Sequence, residues 1–219
     1  MFRVRFCLHV VGLFLLSVLF GLKVSRSGGV EGLYMYFTSW MWTLALLFFS
    51  FVSGCIVCPK AWDLFCYFGV SFTHGVCWMV YILFCAVVLS NSEIMEQMTH
   101  TYSFGTVFVG EKITHAFPLL AVLVTIGVYL DRLRQVPNPF THPVMYKRVL
   151  LALYWYLAPL TFIGIYAACF DPWQVYRSKL TFAESLAVCC VTLGISQTLL
   201  LVVLFYFRRD NKPSYSMIR

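Results

Sequence analysis

Six long stretches of the chain carry no Asp, Glu, Lys or Arg: residues 6–22, 32–59, 64–92, 113–130, 150–170 and 185–207. Each matches or exceeds the roughly 17–25 residues that an α-helix needs to cross the hydrocarbon of a bilayer. Only helices and closed barrels satisfy their own backbone inside lipid. Barrel strands would alternate apolar and polar positions over about ten residues, whereas these stretches are continuously apolar. The pattern predicts an all-α, polytopic membrane helix bundle forming one domain over residues 1–219. Its helices are expected near 6–22, 33–57, 66–90, 113–130, 150–170 and 185–207. The second and third stretches are long enough to tilt or to continue past the interface. Residues 97–110 are uncharged but short and rich in Thr, Ser and Gly, which predicts an interfacial loop, with a re-entrant segment as the alternative.

The opening Met1-Phe2-Arg3-Val4-Arg5 and the apolar run behind it have the form of a signal peptide. Basic Lys23-Val24-Ser25-Arg26 follows in place of a small-residue cleavage site, so an uncleaved first helix is expected.

Composition strengthens the membrane reading. Of 219 residues, 61% are hydrophobic and 11% charged, with mean hydropathy +0.81, against about 25% charged in soluble domains. The net charge of +7 would suit nucleic acid. The basic residues, however, flank the apolar stretches and build no basic face with interleaved aromatics, so nucleic acid is not an expected partner. Their distribution orients the bundle instead. With both termini in the cytosol, eleven Lys and Arg fall inside, among them Arg3, Arg5, Arg132, Arg134, Arg208 and Arg209. Five fall outside: Lys23, Arg26, Lys112, Arg177 and Lys179. The positive-inside rule selects this orientation.

The nine Cys are odd in number and lie mostly in apolar runs, unlike a secreted disulfide framework. Cys55 and Cys58 form a C-x-x-C, but no second pair or nearby His follows to complete a zinc site. Reduced, packed or palmitoylated thiols are expected.

Ionisable side chains within spans point to function, because burying them costs free energy. His74 and His115 lie well inside the third and fourth spans; His9 lies early in the first, and His100 and His142 fall in loops. His74 and His115 sit at different depths, which makes them poor partners for one haem, and no cofactor is expected. Thr38 and His115 do share a depth: each follows an outer loop by a few residues, on two helices running the same way. A membrane Thr ordinarily bonds its own carbonyl four residues back. With a His in reach, its hydroxyl can become a nucleophile. Glu111 and Lys112, at the expected mouth of the fourth helix, could orient His115 or a substrate carboxylate, or form a solvated ion pair. Asp171 and Trp173 suit an outer-interface anchor.

The order of these residues carries a resemblance. Thr38 sits in Tyr36-Phe37-Thr38-Ser39-Trp40, and His115 in Thr114-His115-Ala116-Phe117-Pro118. Asp131-Arg132-Leu133-Arg134 follows, then Pro137, His142 and Tyr146, and finally Asp171-Pro172-Trp173-Gln174-Val175-Tyr176. Over residues 34–176 the chain resembles the androgen-induced and androgen-dependent membrane proteins and their rolling-stone-like relatives. That resemblance implies about six helices and an intramembrane threonine hydrolase of fatty-acid esters of hydroxy fatty acids. Thr38 would be the nucleophile and His115 the base; Glu111, Lys112, Asp171 and Trp173 are substrate-binding candidates from their positions, not from the resemblance. Glu111, Lys112 and Ile113 stand where the hydrolytic members carry a second His and an Asn, and the step from His to Pro is shorter here.

Two functions are therefore expected in order. The first is an intramembrane lipid-ester hydrolase whose partners are membrane lipids and a lipid-ester substrate. The alternative is a non-enzymatic multi-pass protein for lipid binding, transport or fusion; a transporter would favour two matching halves with broken helices, which the chain lacks. Either would be an integral protein of the endoplasmic reticulum or plasma membrane.

Overall fold

The computed structural model describes residues 2–26, 37–57, 69–86, 91, 93, 96, 104–134, 143–169 and 180–206. Among them all regular structure is helical. In order come α1 (Phe2–Arg26), α2 (Phe37–Val57), α3 (Val70–Phe84), α4 (Phe104–Val128), α5 (Met145–Cys169) and α6 (Phe182–Leu201). A short turn, Leu130–Leu133, prolongs α4, and a π-helical turn, Val202–Tyr206, prolongs α6. The stretches Met145–Cys169 and Phe182–Phe205 are long and apolar enough to cross a membrane by themselves. The apolar parts of the other four, His9–Leu22, Phe37–Val52, Val70–Phe84 and His115–Val128, are shorter.

One expectation is corrected. Residues 104–110, read above as part of a loop, are helical, because α4 begins at Phe104. Glu111 and Lys112 therefore lie two turns inside α4, not at its mouth. In the same way, α5 begins at Met145, ahead of Lys147 and Arg148. Charges mark where hydrocarbon would end; the hydrogen-bonded backbone ladder runs on past that border.

Pair contacts fix the topology. His9 of α1 meets Phe49 of α2. Phe37 and Trp40 of α2 meet Tyr166 and Phe162 of α5, in descending order, so these two helices run antiparallel. Thr38 and Trp42 of α2 meet His115 and Phe117 of α4, in ascending order, so these two run parallel. His74 and Gly75 of α3 meet Gln197 and Leu193 of α6 in descending order, again antiparallel.

The core along the bundle axis is apolar and aromatic, with Met41, Trp42, Val76, Val122 and Tyr166 buried. One polar network crosses it. Trp78 Nε1 donates to His74 Nε2 at 3.1 Å. Trp Nε1–H is only a donor, so His74 is neutral with its proton on Nδ1, which donates to Gln197 Oε1 at 3.3 Å. The Gln197 amide in turn donates to the carbonyls of Ser71 (2.8 Å) and Trp155 (3.1 Å). Every bond is consistent with one tautomer and one amide orientation, and the network joins α3, α5 and α6. Gly75 lets α3 and α6 approach closely at this level: a Cβ there would lie 2.8 Å from both Gln197 Nε2 and Leu193 Cδ1.

The outward faces are apolar as well. Val191, Ile195, Leu199 and Val203 form an exposed row at four-residue spacing on α6. Val10, Phe14 and Val18 do the same on α1, Leu153, Leu157 and Ile165 extend along α5, and Leu120 and Val124 project from α4. Arg134 donates to the Val203 carbonyl at 3.1 Å, covering the π-turn that ends α6. At the other end of α6, Thr181 and Glu184 form a reciprocal capping box.

Candidate active site

Thr38 is the second residue of α2, and His115 lies about three turns into α4. Because α2 and α4 run parallel, roughly 15 Å of α4 precedes the level of Thr38. Elsewhere in the bundle a helical hydroxyl behaves in the ordinary way. Ser17, Thr43 and Thr125 each donate to the carbonyl four residues back, at 2.8–2.9 Å. Thr38, the second residue of α2, has no turn of that helix behind it, and its Oγ1 lies 2.7 Å from His115 Nε2. Both side chains are buried, Thr38 at 4% and His115 at 6% exposure.

Neighbouring rings hold this geometry. Phe37 stacks on Tyr166 at 4.4 Å. Trp40, one turn on, presents edges to Phe162 and Tyr166 at 5.4 and 5.8 Å. Trp42, four residues after Thr38 and so on the same helix face, stacks on Phe117 of α4 at 6.0 Å. The first turns of α2 are thus clamped between α5 and α4, and Thr38 sits in the clamp facing α4. On the α4 side, the imidazole of His115 lies flat against Phe84 at the end of α3, with ring centroids 3.5 Å apart and planes 8° from parallel. Pro118 follows His115 within α4 and has no N–H to return to the Thr114 carbonyl, which loosens the ladder at the turn that carries the imidazole.

No protein-family model, no curated protein and no solved structure matches the chain. What the site can do must be read from its own chemistry.

A hydroxyl and an imidazole nitrogen at 2.7 Å are within the reach needed for direct proton transfer. With the ring proton on Nδ1, Nε2 carries the lone pair and the Thr38 hydroxyl donates to it. Both groups are buried beside aromatic side chains, where a hydrogen bond between two polar groups is stronger than in water. Among the described residues no group of three or more His, Cys, Asp or Glu is arranged to hold a metal ion.

The remaining candidates fall differently. His74 spends both ring nitrogens on Trp78 and Gln197, so neither is open to iron. His9 donates to the Phe49 carbonyl at 3.0 Å and packs α1 onto α2. Glu111 and Lys112 lie on α4 one turn before His115, with side chains outside the described residues. Asp171, Trp173, Cys58, His100 and His142 also lie outside them, as does the Cys55 side chain. Phe84 was not singled out by its sequence, being one of 21 phenylalanines with no distinguishing neighbour.

Proposed function

We propose that this chain is an intramembrane hydrolase of lipid esters, with Thr38 as the nucleophile and His115 as the general base. The observation that carries the reading is the buried 2.7 Å contact between Thr38 Oγ1 and His115 Nε2. A buried threonine hydroxyl that meets a histidine 77 residues away is the arrangement that acyl transfer needs. The resemblance to the androgen-induced family points to the same pair and suggests fatty-acid esters of hydroxy fatty acids as the substrate class.

The setting we infer is a six-span bundle with both termini cytosolic and the site toward the outer or lumenal leaflet. The outward apolar rows support it, since repeated exposed stripes on several helices would be unstable in water.

In the reaction, His115 Nε2 takes the Thr38 proton as Oγ1 attacks the ester carbonyl carbon. Collapse of the tetrahedral intermediate breaks the bond to the alkoxy oxygen, which leaves with the proton held by His115. The product is an acyl-threonine and a free hydroxyl compound. Water then attacks the acyl carbon, giving its proton to His115. Release of the fatty acid returns Thr38 Oγ1, which recovers that proton.

The test is hydrolysis of a fatty-acid ester by the purified chain in lipid nanodiscs. Thr38→Ala and His115→Ala should each lower the rate by at least about 10²-fold, with expression and membrane insertion unchanged. Thr38→Ser, which keeps the hydroxyl, should remain active. Full activity in either alanine variant would remove Thr38 and His115 as nucleophile and base, and no hydrolysis by the wild type would leave a non-enzymatic lipid-binding protein.

A further inference from the structure

The ring of Phe84 touches His115 in a way that differs from the other aromatic contacts of the bundle. Stacked pairs such as Phe37–Tyr166 and Trp42–Phe117 have centroids 4.4 and 6.0 Å apart, and edge contacts such as Trp40–Phe162 lie at 5.4 Å. The Phe84–His115 centroids are 3.5 Å apart with planes 8° from parallel. That separation is about the van der Waals thickness of two rings, so there is almost no lateral offset. Phe84 is 6% exposed at the end of α3, and His115 is equally buried. The Thr38 hydroxyl meets the imidazole at its Nε2 edge while Phe84 covers a face.

A face-to-face stack without offset is the arrangement that two neutral aromatic rings favour least, because their negative faces oppose each other. A planar cation over the same face is attracted to it. His115 is neutral while it waits for the Thr38 proton and becomes an imidazolium as Oγ1 attacks. The contact therefore gains in strength as the charge develops, and such a gain accelerates a reaction because it is absent from the ground state.

We propose that Phe84 is a positioning residue for this reaction: its ring face fixes the plane of His115 and stabilises the imidazolium formed when Thr38 attacks an ester. The inference rests on the nucleophile–base reading of Thr38 and His115 and adds to it an aromatic support from α3. The network that ties His74 and Trp78 of α3 to Gln197 of α6 holds α3 in the register that brings Phe84 under the imidazole. Phe84 touches neither substrate nor the transferred proton; its effect passes through His115.

The experiment measures kcat and KM for ester hydrolysis, with mass-spectrometric detection of acylated Thr38, in four chains. They are the wild type, Phe84→Leu, Phe84→Tyr, and the chain with a ring-trifluorinated phenylalanine at position 84. Fluorination keeps the shape of the ring and withdraws charge from its face. It should lower kcat several-fold with KM unchanged. Phe84→Leu should lower kcat by about 2- to 30-fold, and Phe84→Tyr, which keeps an electron-rich face, should retain wild-type kcat. The fluorinated chain keeps the test decisive if Phe84→Leu does not fold. Equal kcat in the wild-type and fluorinated chains, with Thr38 acylated in both, overturns the role of Phe84 and leaves the hydrolase reading standing. Absence of acylated Thr38 in the wild type overturns both.

Discussion

Replacing Gly75 by alanine tests the packing that sets the bundle. A Cβ at this position would lie 2.8 Å from Gln197 Nε2, 2.8 Å from Leu193 Cδ1 and 3.1 Å from Pro159 Cγ. Ordinary carbon contacts begin near 3.5 Å, so all three neighbours must move. None has room. Leu193 and Gln197 are essentially inaccessible, Pro159 is fixed within α5, and the Gln197 amide is tied to the carbonyls of Ser71 and Trp155. Overpacking of this kind costs about 1–3 kcal/mol, and a lost buried hydrogen bond adds about 1 kcal/mol. Alanine returns up to about 1 kcal/mol through its higher helix propensity. The net loss is about 1–3 kcal/mol, or a fall in Tm of about 2–12 °C for a chain of this size. Gly21, Gly127, Gly164 and Gly194 have nothing within 4 Å of a built Cβ, so alanine there should be neutral or slightly stabilising. Thermal unfolding in one fixed detergent, followed by circular dichroism, compares all five. A Gly75→Ala chain that melts with the other four, at or above the wild type, would refute the close approach of α3 and α6.

Three further outcomes follow from the same geometry. Gln197→Leu strands the His74 Nδ1–H and the buried Trp155 carbonyl, which Pro159 cannot serve with an N–H, so it should destabilise by about 1–3 kcal/mol; in a double-mutant cycle with His74→Leu the losses should be less than additive. Thr181→Ala removes the capping box of α6 and should cost about 1 kcal/mol by chemical denaturation, while Thr181→Ser should restore it. Epitope tags at the two ends should both become accessible to antibody when the cytosolic leaflet is opened, and a tag reached only from the other side would reverse the proposed orientation.

Much of the helical organisation was legible because charge is so costly in hydrocarbon that its absence outlines each helix. The same signal misplaced the start of α4. Glu111 and Lys112 mark a border in polarity, whereas Phe104 marks where backbone hydrogen bonding begins, and nothing obliges the two to coincide. The pairing of Thr38 with His115 was expected from a shared depth, with His115 set near the start of its helix; the two do meet, but with about three turns of α4 ahead of His115. The contact of His74 with Gln197 was not expected, since it depends on which helices are neighbours and on their rotation. Phe84 was hidden for a related reason. Its contribution lies in the angle and spacing of one ring against another, and a phenylalanine near the end of an apolar run looks the same whether it faces lipid or an imidazole.

The central claim is that Thr38 becomes acylated because His115 takes its proton. The most direct measurement is peptide mass spectrometry after a brief incubation with a fatty-acid ester and an acid quench, in the wild type and in His115→Ala. The account predicts an acyl group on Thr38 in the wild type and its loss in His115→Ala. An adduct on another residue, no adduct in the wild type, or an undiminished Thr38 adduct without His115 would contradict it.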